Sequence, residues 1–285
     1  MNRVITVVLV ALIACTVVTE LHSDDVSLFR TVHLSKKIAV AAHRGANEFA
    51  PENTLAAFRK AVELGVDVIE IDVRKTKDGA NIIMHDTTLK RTTGLEGNAL
   101  DWNYNDLKDM SAGKWFSEDF ASEKIPTLEE TCKEVRMWNE ILGKTVSFYV
   151  DCKHPEIPTM IQTLKDYGFL ETSMFYGNDV TLAKIREFFP QAKLMPAFGR
   201  GQQLQDRIER LKPYAFDISW ALLSQDLIEQ LQTQGIKACS DAPRNASKEE
   251  LINAMKCGIH LIQTDRILNV YEAEREWNKN TVSEN

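Results

Sequence analysis

The sequence predicts an α/β chain folded as a (β/α)8 TIM barrel, with a small inserted cap subdomain after the hairpin of the second strand. Three observations carry this. Short apolar runs recur eight times in alternation with amphipathic stretches, and seven of them are followed by a clear helical pattern. The 285 residues suit one such barrel, which needs about 250, once an N-terminal segment is set aside. One long aperiodic stretch, Thr87 to Ile125, interrupts the alternation. A doubly wound open sheet would alternate similarly, but neither usual glycine-rich phosphate loop is present.

Taken in order, residues 1–15 form a targeting segment. "MNR" carries positive charge, and "VITVVLVALIA" is apolar but too short to span a bilayer. Leu12-Ile13-Ala14-Cys15 resembles the bacterial lipoprotein box, in which the cysteine is lipidated; an ordinary secretory signal with an incidental Cys15 is the alternative. Either reading places the mature protein in the cell envelope or outside the cell, touching membrane only through a lipid anchor at Cys15. Residues 16–35 read as a polar tether, 36–278 as the barrel, and 279–285 as a tail.

The strand candidates are "IAVAAH", "VDVIEIDV", "VSFYVDCK", "SMFYG", "KLMPAFG", "AFDISW", "IKACSD" and "HLIQTD". Pro51 to Thr54 open the first barrel helix. Thr127 with Glu130 and Ser247 with Glu250 fit capping boxes, while Gly65, Gly235 and Gly258 fit helix C-caps. "VIEIDVRKTKDGANIIMHD" joins two strand-like runs through Asp78-Gly79, a strong hairpin signal. Folding it back brings His85 near Glu70. Residues 87–125 are expected to cap the barrel mouth.

Composition narrows the function. A hydrophobic content of 44% is that of a globular domain with a large core. A net charge of −7 without a Lys/Arg-rich run argues against nucleic acid as a partner. Cys132, Cys152, Cys239 and Cys257 show no metal-type spacing and lie in separate apolar segments, so buried free thiols are expected. No protein partner is evident.

The chemistry sits at the strand ends. Glu70 and Asp72 lie two apart on one strand, so their carboxylates share a face, and a dry core cannot hold two bare charges. A cation, a shared proton or arginine partners must neutralise them. Asp151 and Lys153 repeat the spacing on another strand. Oxygen-only ligation by Glu70, Asp72 and Asp151 suits one divalent cation, Ca²⁺ or Mg²⁺, rather than zinc; a plain ion pair between Asp151 and Lys153 is the alternative use of that pair. His43 and His85 each end a strand opening at the same mouth, and two imidazoles can deprotonate a nucleophile and protonate a leaving group near neutral pH. Arg44 adds a planar donor fork suited to phosphate oxygens. Together these groups suit acid–base displacement at a small-molecule phosphate ester. His22, His33, His154 and His260 lack that context.

The chain resembles the glycerophosphodiester phosphodiesterase family. The resemblance rests on "HRG" (His43 to Gly45), "PENT" (Pro51 to Thr54), "EIDV" (Glu70 to Val73), "KDG" (Lys77 to Gly79) and "HD" (His85, Asp86). It continues through "LKRTT" (Leu89 to Thr93), "IPTLEE" (Ile125 to Glu130) and "TDR" (Thr264 to Arg266), in order from about Ile38 to Leu268. It implies a capped (β/α)8 barrel that cleaves glycerophosphodiesters to an alcohol and glycerol 3-phosphate. It also implies His43 and His85 as the acid–base pair, Glu70 and Asp72 as metal ligands, and Arg44 and Lys153 at the phosphate. Glu52 and Asn53 are expected to brace the site from behind.

Two departures bear on substrate. The family's third acid is usually Glu in an E-x-K pattern, where this chain has Asp151 in "DCK". Its seventh strand usually carries a "WTVN"-like stretch, where this chain has "CSDAPRN"; Ser240, Asp241 and Arg244 then add polar groups, and Trp220 is a candidate replacement wall. The alternatives are a phosphodiesterase resembling phosphatidylinositol-specific phospholipase C or sphingomyelinase D, and a phosphodiester-binding lipoprotein without turnover.

Overall fold

A computed structural model describes residues 38–199 and 202–283. The expected signal segment, Cys15 and the tether lie outside the described residues. Among those described, the strands are β1 (Ala39–Ala42), β2 (Val68–Lys75), β3 (Asn81–Ile83), β4 (Ser147–His154), β5 (Met174–Tyr176), β6 (Lys193–Met195), β7 (Ala215–Asp217), β8 (Lys237–Asp241) and β9 (Leu261–Thr264). Eight of them, all but β3, form a parallel sheet in the order β6-β5-β4-β2-β1-β9-β8-β7. Its two ends meet through the parallel bridge Ala197↔Asp217, which nearly closes the barrel. Pro196 ends the β6 ladder because it has no N–H, yet its carbonyl still accepts from the Asp217 amide at 3.1 Å.

Each parallel strand is followed by a helix: α1 (Leu55–Leu64), α2 (Leu128–Leu142), α3 (Ile157–Asp166), α4 (Asp179–Phe188), α5 (Gln202–Leu211), α6 (Gln225–Thr233), α7 (Lys248–Lys256) and α8 (Ile267–Ser283). Both predicted capping boxes form, at Thr127/Glu130 and Ser247/Glu250. Helix α8 runs past the boundary expected at 278 because no Gly or Pro interrupts it. "PENT" is the turn before α1 rather than its first turn. Thr54 is the N-cap, its hydroxyl accepting from the Ala57 amide, so Glu52 and Asn53 are left in a loop that reaches back to the strand ends.

The barrel interior is packed by one inward residue from each parallel strand: Ala41, Val68, Tyr149, Met174, Met195, Ala215, Cys239 and Leu261. Because side chains alternate along a strand, the next inward positions toward the C-terminal ends are His43, Glu70, Asp151, Tyr176, Ala197, Asp217, Asp241 and Gln263. The interior therefore changes from apolar to polar within a single step. Cys132, Cys152 and Cys239 are buried free thiols as expected, while Cys257 is half-exposed.

β3 pairs antiparallel with β2 in the register Val73↔Ile83, making the predicted hairpin. The following segment builds its own small core from Leu89, Ala99, Leu107, Ala112 and Ile125 against Ile82 and Met84. Phe120 anchors it on Ala50, Ala56 and Ala57 at the start of α1. No helix among the described residues is long and apolar enough to cross a membrane.

Candidate active site

The β1–α1 turn is built around a forced close approach. Gly45 has φ +82°, and a Cβ there would stand 2.8 Å from Ala57 Cβ and 2.9 Å from the Ala57 backbone carbon. Only glycine lets the chain fold back on α1 directly after His43 and Arg44. Arg44 itself sits at φ 55° and Asn53 at φ 56°. Asparagine tolerates this region, but arginine is strained there, and such strain concentrates at functional sites. The two are tied by the Asn53 amide donating to the Arg44 carbonyl at 2.9 Å.

At the floor of the mouth, one carboxylate oxygen each from Glu70, Asp72 and Asp151 lies within 4.8 Å of the others, and all three residues are buried. The β2–β4 register sets Asp72 directly opposite Asp151, with a bulge in the ladder immediately beyond. Burial, then repulsion from Asp72 and Asp151, pushes Glu70 well above the usual carboxylate range. Burial and Asp72 likewise push Asp151 up, although Lys153 opposes it. The surroundings offer partial compensation. The Arg44 amide donates to Glu70 Oε2 at 2.7 Å, and Asn53 Nδ2 donates to Asp72 Oδ2 at 2.7 Å. Lys153 Nζ lies 2.6 Å from Asp151 Oδ2 and 3.4 Å from Asp72 Oδ1. Asp72 Oδ1 is nonetheless buried without a hydrogen bond. An oxygen-only, anionic, under-satisfied pocket of this kind fits a hard divalent cation.

Both imidazoles are held through Nδ1 by a carboxylate at 2.7 Å, His43 by Asp265 and His85 by Asp86. Asn47 Nδ2 donates to Asp265 and to the His43 carbonyl, fixing that pair from below. Burial lowers the His43 pKa, but the Asp265 bond and the charge of Asp241 outweigh it and leave it raised. Asp265 is held at about 2; burial opposes this, and the hydrogen bonds from His43 and Asn47 prevail. His85 is clamped from behind by Arg74, whose Nε and Nη2 both donate to its backbone carbonyl. It also acts electrostatically on Asp151, which it favours in the charged state. The Met84 amide bonds the Asp72 carbonyl at 2.8 Å, which sets His85 just past the end of the β2–β3 ladder.

A chain of charges links the two histidine arms. Asp86 accepts from Arg91, Arg91 donates to both oxygens of Glu52, and Glu52 Oε1 accepts from Arg44 Nη1 at 2.9 Å. Arg91 comes from the inserted segment, which thus supplies a strut of the site. Glu52 and Asn53 thus occupy bracing positions behind Arg44 and Asp72.

The two other expected pocket residues lie on β8 and just after β7. Ser240 is buried and donates to the Ile218 carbonyl at 2.6 Å, because its neighbours Cys239 and Asp241 take the inward positions on β8. Trp220 opens a short 3₁₀ turn just after β7, half-buried. Sequence reasoning assigned no role to Asp265, Asn47, Asp86, Arg74 or Arg91. Asp86, Arg91 and Asp265 stand inside motifs already quoted, and the step-of-two rule from Leu261 through Gln263 would have found Asp265.

Two carboxylate-anchored imidazoles, a buried carboxylate cluster and a basic fork stand at the C-terminal ends of neighbouring strands. On a (β/α)8 barrel this is the inventory of a phosphodiesterase, and the comparisons with known proteins show that class. The family model of the glycerophosphoryl diester phosphodiesterase family matches residues 43–269. A glycerophosphodiester phosphodiesterase of Caldanaerobacter subterraneus is 33% identical over 243 residues, covering 80% of this chain and 94% of that protein. One from Bacillus subtilis is 28% identical, covering 70% and 74% respectively. Among solved structures, an Oleispira antarctica phosphodiesterase in complex with sn-glycerol-3-phosphate superposes with a TM-score of 0.74 at 24% identity, covering 83% of this chain and 96% of that one. The chain belongs to the glycerophosphodiester phosphodiesterase family and is an enzyme of the phosphoric diester hydrolase class.

Proposed function

We propose that this enzyme hydrolyses glycerophosphodiesters to glycerol 3-phosphate and a free alcohol, with His43 and His85 as the proton-transfer pair. The observation that supports this is that two imidazoles, each held through Nδ1 by a carboxylate, stand at the strand ends beside the buried Glu70–Asp72–Asp151 cluster. Glu70, Asp72 and Asp151 would hold one divalent cation, Ca²⁺ or Mg²⁺. When bound, the ion supplies Lewis-acid polarisation of the phosphoryl oxygens.

The chain's own residues do the rest. Arg44 and Lys153 draw the phosphate to the triad side. Asp265 and Asp86 engage Nδ1 of their histidines, which leaves each Nε2 as the nitrogen that exchanges a proton. One imidazole takes the proton of the attacking hydroxyl, and the other returns one to the leaving oxygen. The attacking group is water or the substrate's neighbouring hydroxyl; the latter route releases a cyclic phosphate first, which product analysis detects. The glycerol 3-phosphate seen in the Oleispira neighbour supports the substrate class.

The direct test is turnover of a glycerophosphodiester with and without EDTA, reading glycerol 3-phosphate. Activity should fall at least about 100-fold on chelation and return with Ca²⁺ or Mg²⁺. Undiminished turnover in EDTA would remove the metal from the proposal, and no turnover under any condition would remove the hydrolysis.

Asp265→Asn tests the anchoring role. The raised pKa of His43 depends on Asp265, so the limb of the pH–rate profile that reports His43 should move to lower pH. We expect kcat to fall about 10–1,000-fold alongside. A loss of stability with an unmoved limb would make Asp265 a structural residue only.

A further inference from the structure

Arg44 stands between two carboxylates. Its side chain is 17% exposed, so the guanidinium cannot retreat into solvent, and its backbone amide is tied to Glu70 Oε2. On one side Glu52 Oε1 accepts from Nη1 at 2.9 Å. On the other, Nε faces Asp72 Oδ2 at 3.6 Å, beyond hydrogen-bond range. That Nε is buried with no hydrogen-bond partner, and so is Asp72 Oδ1. A buried donor and a buried anion that could satisfy one another are thus held just out of reach. Leaving them unpaired costs free energy, so the arrangement persists only where neighbouring contacts oppose its collapse. Electrostatics favours the collapse: burial lowers the Arg44 pKa, but the charge of Asp72, ahead of that of Glu52, leaves it raised.

Two neighbours in the β1–α1 loop oppose it. Asn53 Nδ2 donates to Asp72 Oδ2 at 2.7 Å and occupies the oxygen that Nε would take. Glu52 draws the guanidinium the other way. Burial pushes Glu52 up, but the Arg91 hydrogen bond and the charge of Arg44 outweigh it, so it stays charged. Nor can Glu52 follow if Arg44 moves. Arg91 holds both its oxygens, at 2.7 and 2.8 Å, and is itself tied to Asp86 and lies over the Trp115 ring at 5.9 Å. A guanidinium seated on Asp72 would occupy a carboxylate of the triad and turn its fork away from a phosphate.

We infer that Glu52 is a positioning residue that holds Arg44 off Asp72, leaving that carboxylate free for a divalent cation and the guanidinium free for a phosphate. Its effect on the cation rests on the metal site proposed above; its effect on the phosphate does not. Arg91, carried by the inserted segment, is the fixed point against which Glu52 pulls.

The test titrates the EDTA-stripped full chain calorimetrically with Ca²⁺ and with Mg²⁺, as wild type, Glu52→Gln, Arg44→Ala and the double variant, each checked by circular dichroism. Gln keeps the shape and an acceptor for Arg91 but loses the charge that restrains Arg44. Glu52→Gln should weaken Kd for the tighter ion about 10–100-fold. In the Arg44→Ala background the same substitution should change Kd by less than about threefold, because no guanidinium remains to seat on Asp72. An unchanged Kd in Glu52→Gln overturns the inference. So does an equal loss in both backgrounds, which simple removal of a negative charge would give. Should the wild type bind neither ion, the metal site fails as a reading, and titration with glycerol 3-phosphate in EDTA decides the role of Glu52. Arg44→Ala should then weaken binding about tenfold or more on its own, and less than about threefold beside Glu52→Gln. Independent losses, or no binding of glycerol 3-phosphate by the wild type, overturn it there.

Discussion

Alanine in place of His85 is expected to lower kcat for glycerophosphodiester hydrolysis by about 100–10,000-fold with little change in thermal stability. The imidazole is half-exposed, and its removal leaves Asp86 still accepting two hydrogen bonds from Arg91. No buried charge is orphaned, so the penalty falls on chemistry. His43→Ala should behave alike, since Asp265 retains the Asn47 amide. The double variant should cost little more than either single one, because two groups that move protons in one displacement act as a unit. Circular dichroism and single-turnover kinetics separate the effects. An activity within tenfold of wild type in either single variant would remove that histidine from the mechanism.

Glu70→Gln is expected to move stability and activity in opposite directions. The side chain is buried, its charge is opposed by Asp72 and Asp151, and the Arg44 amide can donate to the Gln carbonyl as it does to the carboxylate. Without metal, the variant should be more stable than wild type by about 1–3 kcal/mol, as expected when an uncompensated buried charge is removed. The pH dependence follows. Glu70 has a raised folded pKa, so the folded state holds its proton more tightly than the unfolded chain does. Metal-free wild type should therefore lose stability as pH rises from the ordinary carboxylate range through that raised value, and the Gln variant should lose less. Added Ca²⁺ or Mg²⁺ should raise the melting temperature of the wild type strongly, that of the variant weakly, and activity in the variant should fall at least about 100-fold. Thermal scans in EDTA and in saturating metal read the stabilities, and a turnover assay in saturating metal reads the activity. Equal metal-induced shifts in both proteins would exclude Glu70 as a ligand.

The Arg91–Glu52–Arg44 bridge explains why the inserted segment belongs with the catalytic mouth. Its packing through Phe120 and its charge relay through Arg91 both converge on the β1–α1 loop. That loop already bears the strain of Arg44 at positive φ. The inserted segment is thus one of the contacts that hold the loop in its strained form.

Much was legible without coordinates. The alternation of runs such as "VSFYVDCK" with amphipathic stretches specified the eight parallel strands, because strand and helix periods are written in local apolar spacing. The same arithmetic exposed Glu70 with Asp72 and Asp151 with Lys153, since two carboxylates cannot share an apolar strand face without a counter-charge. Capping boxes at Thr127 and Ser247 were readable because a cap is a contact across three residues. Helix α5 was not, since its apolar positions are few and set among glutamines and charges.

What the sequence by itself determined was therefore periodicity, local caps and the inventory of reactive groups at strand ends. The tertiary structure alone decided their partners. Asp265 reaches His43 across 222 residues, and Arg91 reaches Glu52 across 39. It also turned Ser240 away from the mouth and Asp241 toward it, a choice made by register. Such pairings depend on strand stagger and closure, which no local window of residues encodes, whereas burial against one face is written into every second or every third and fourth residue.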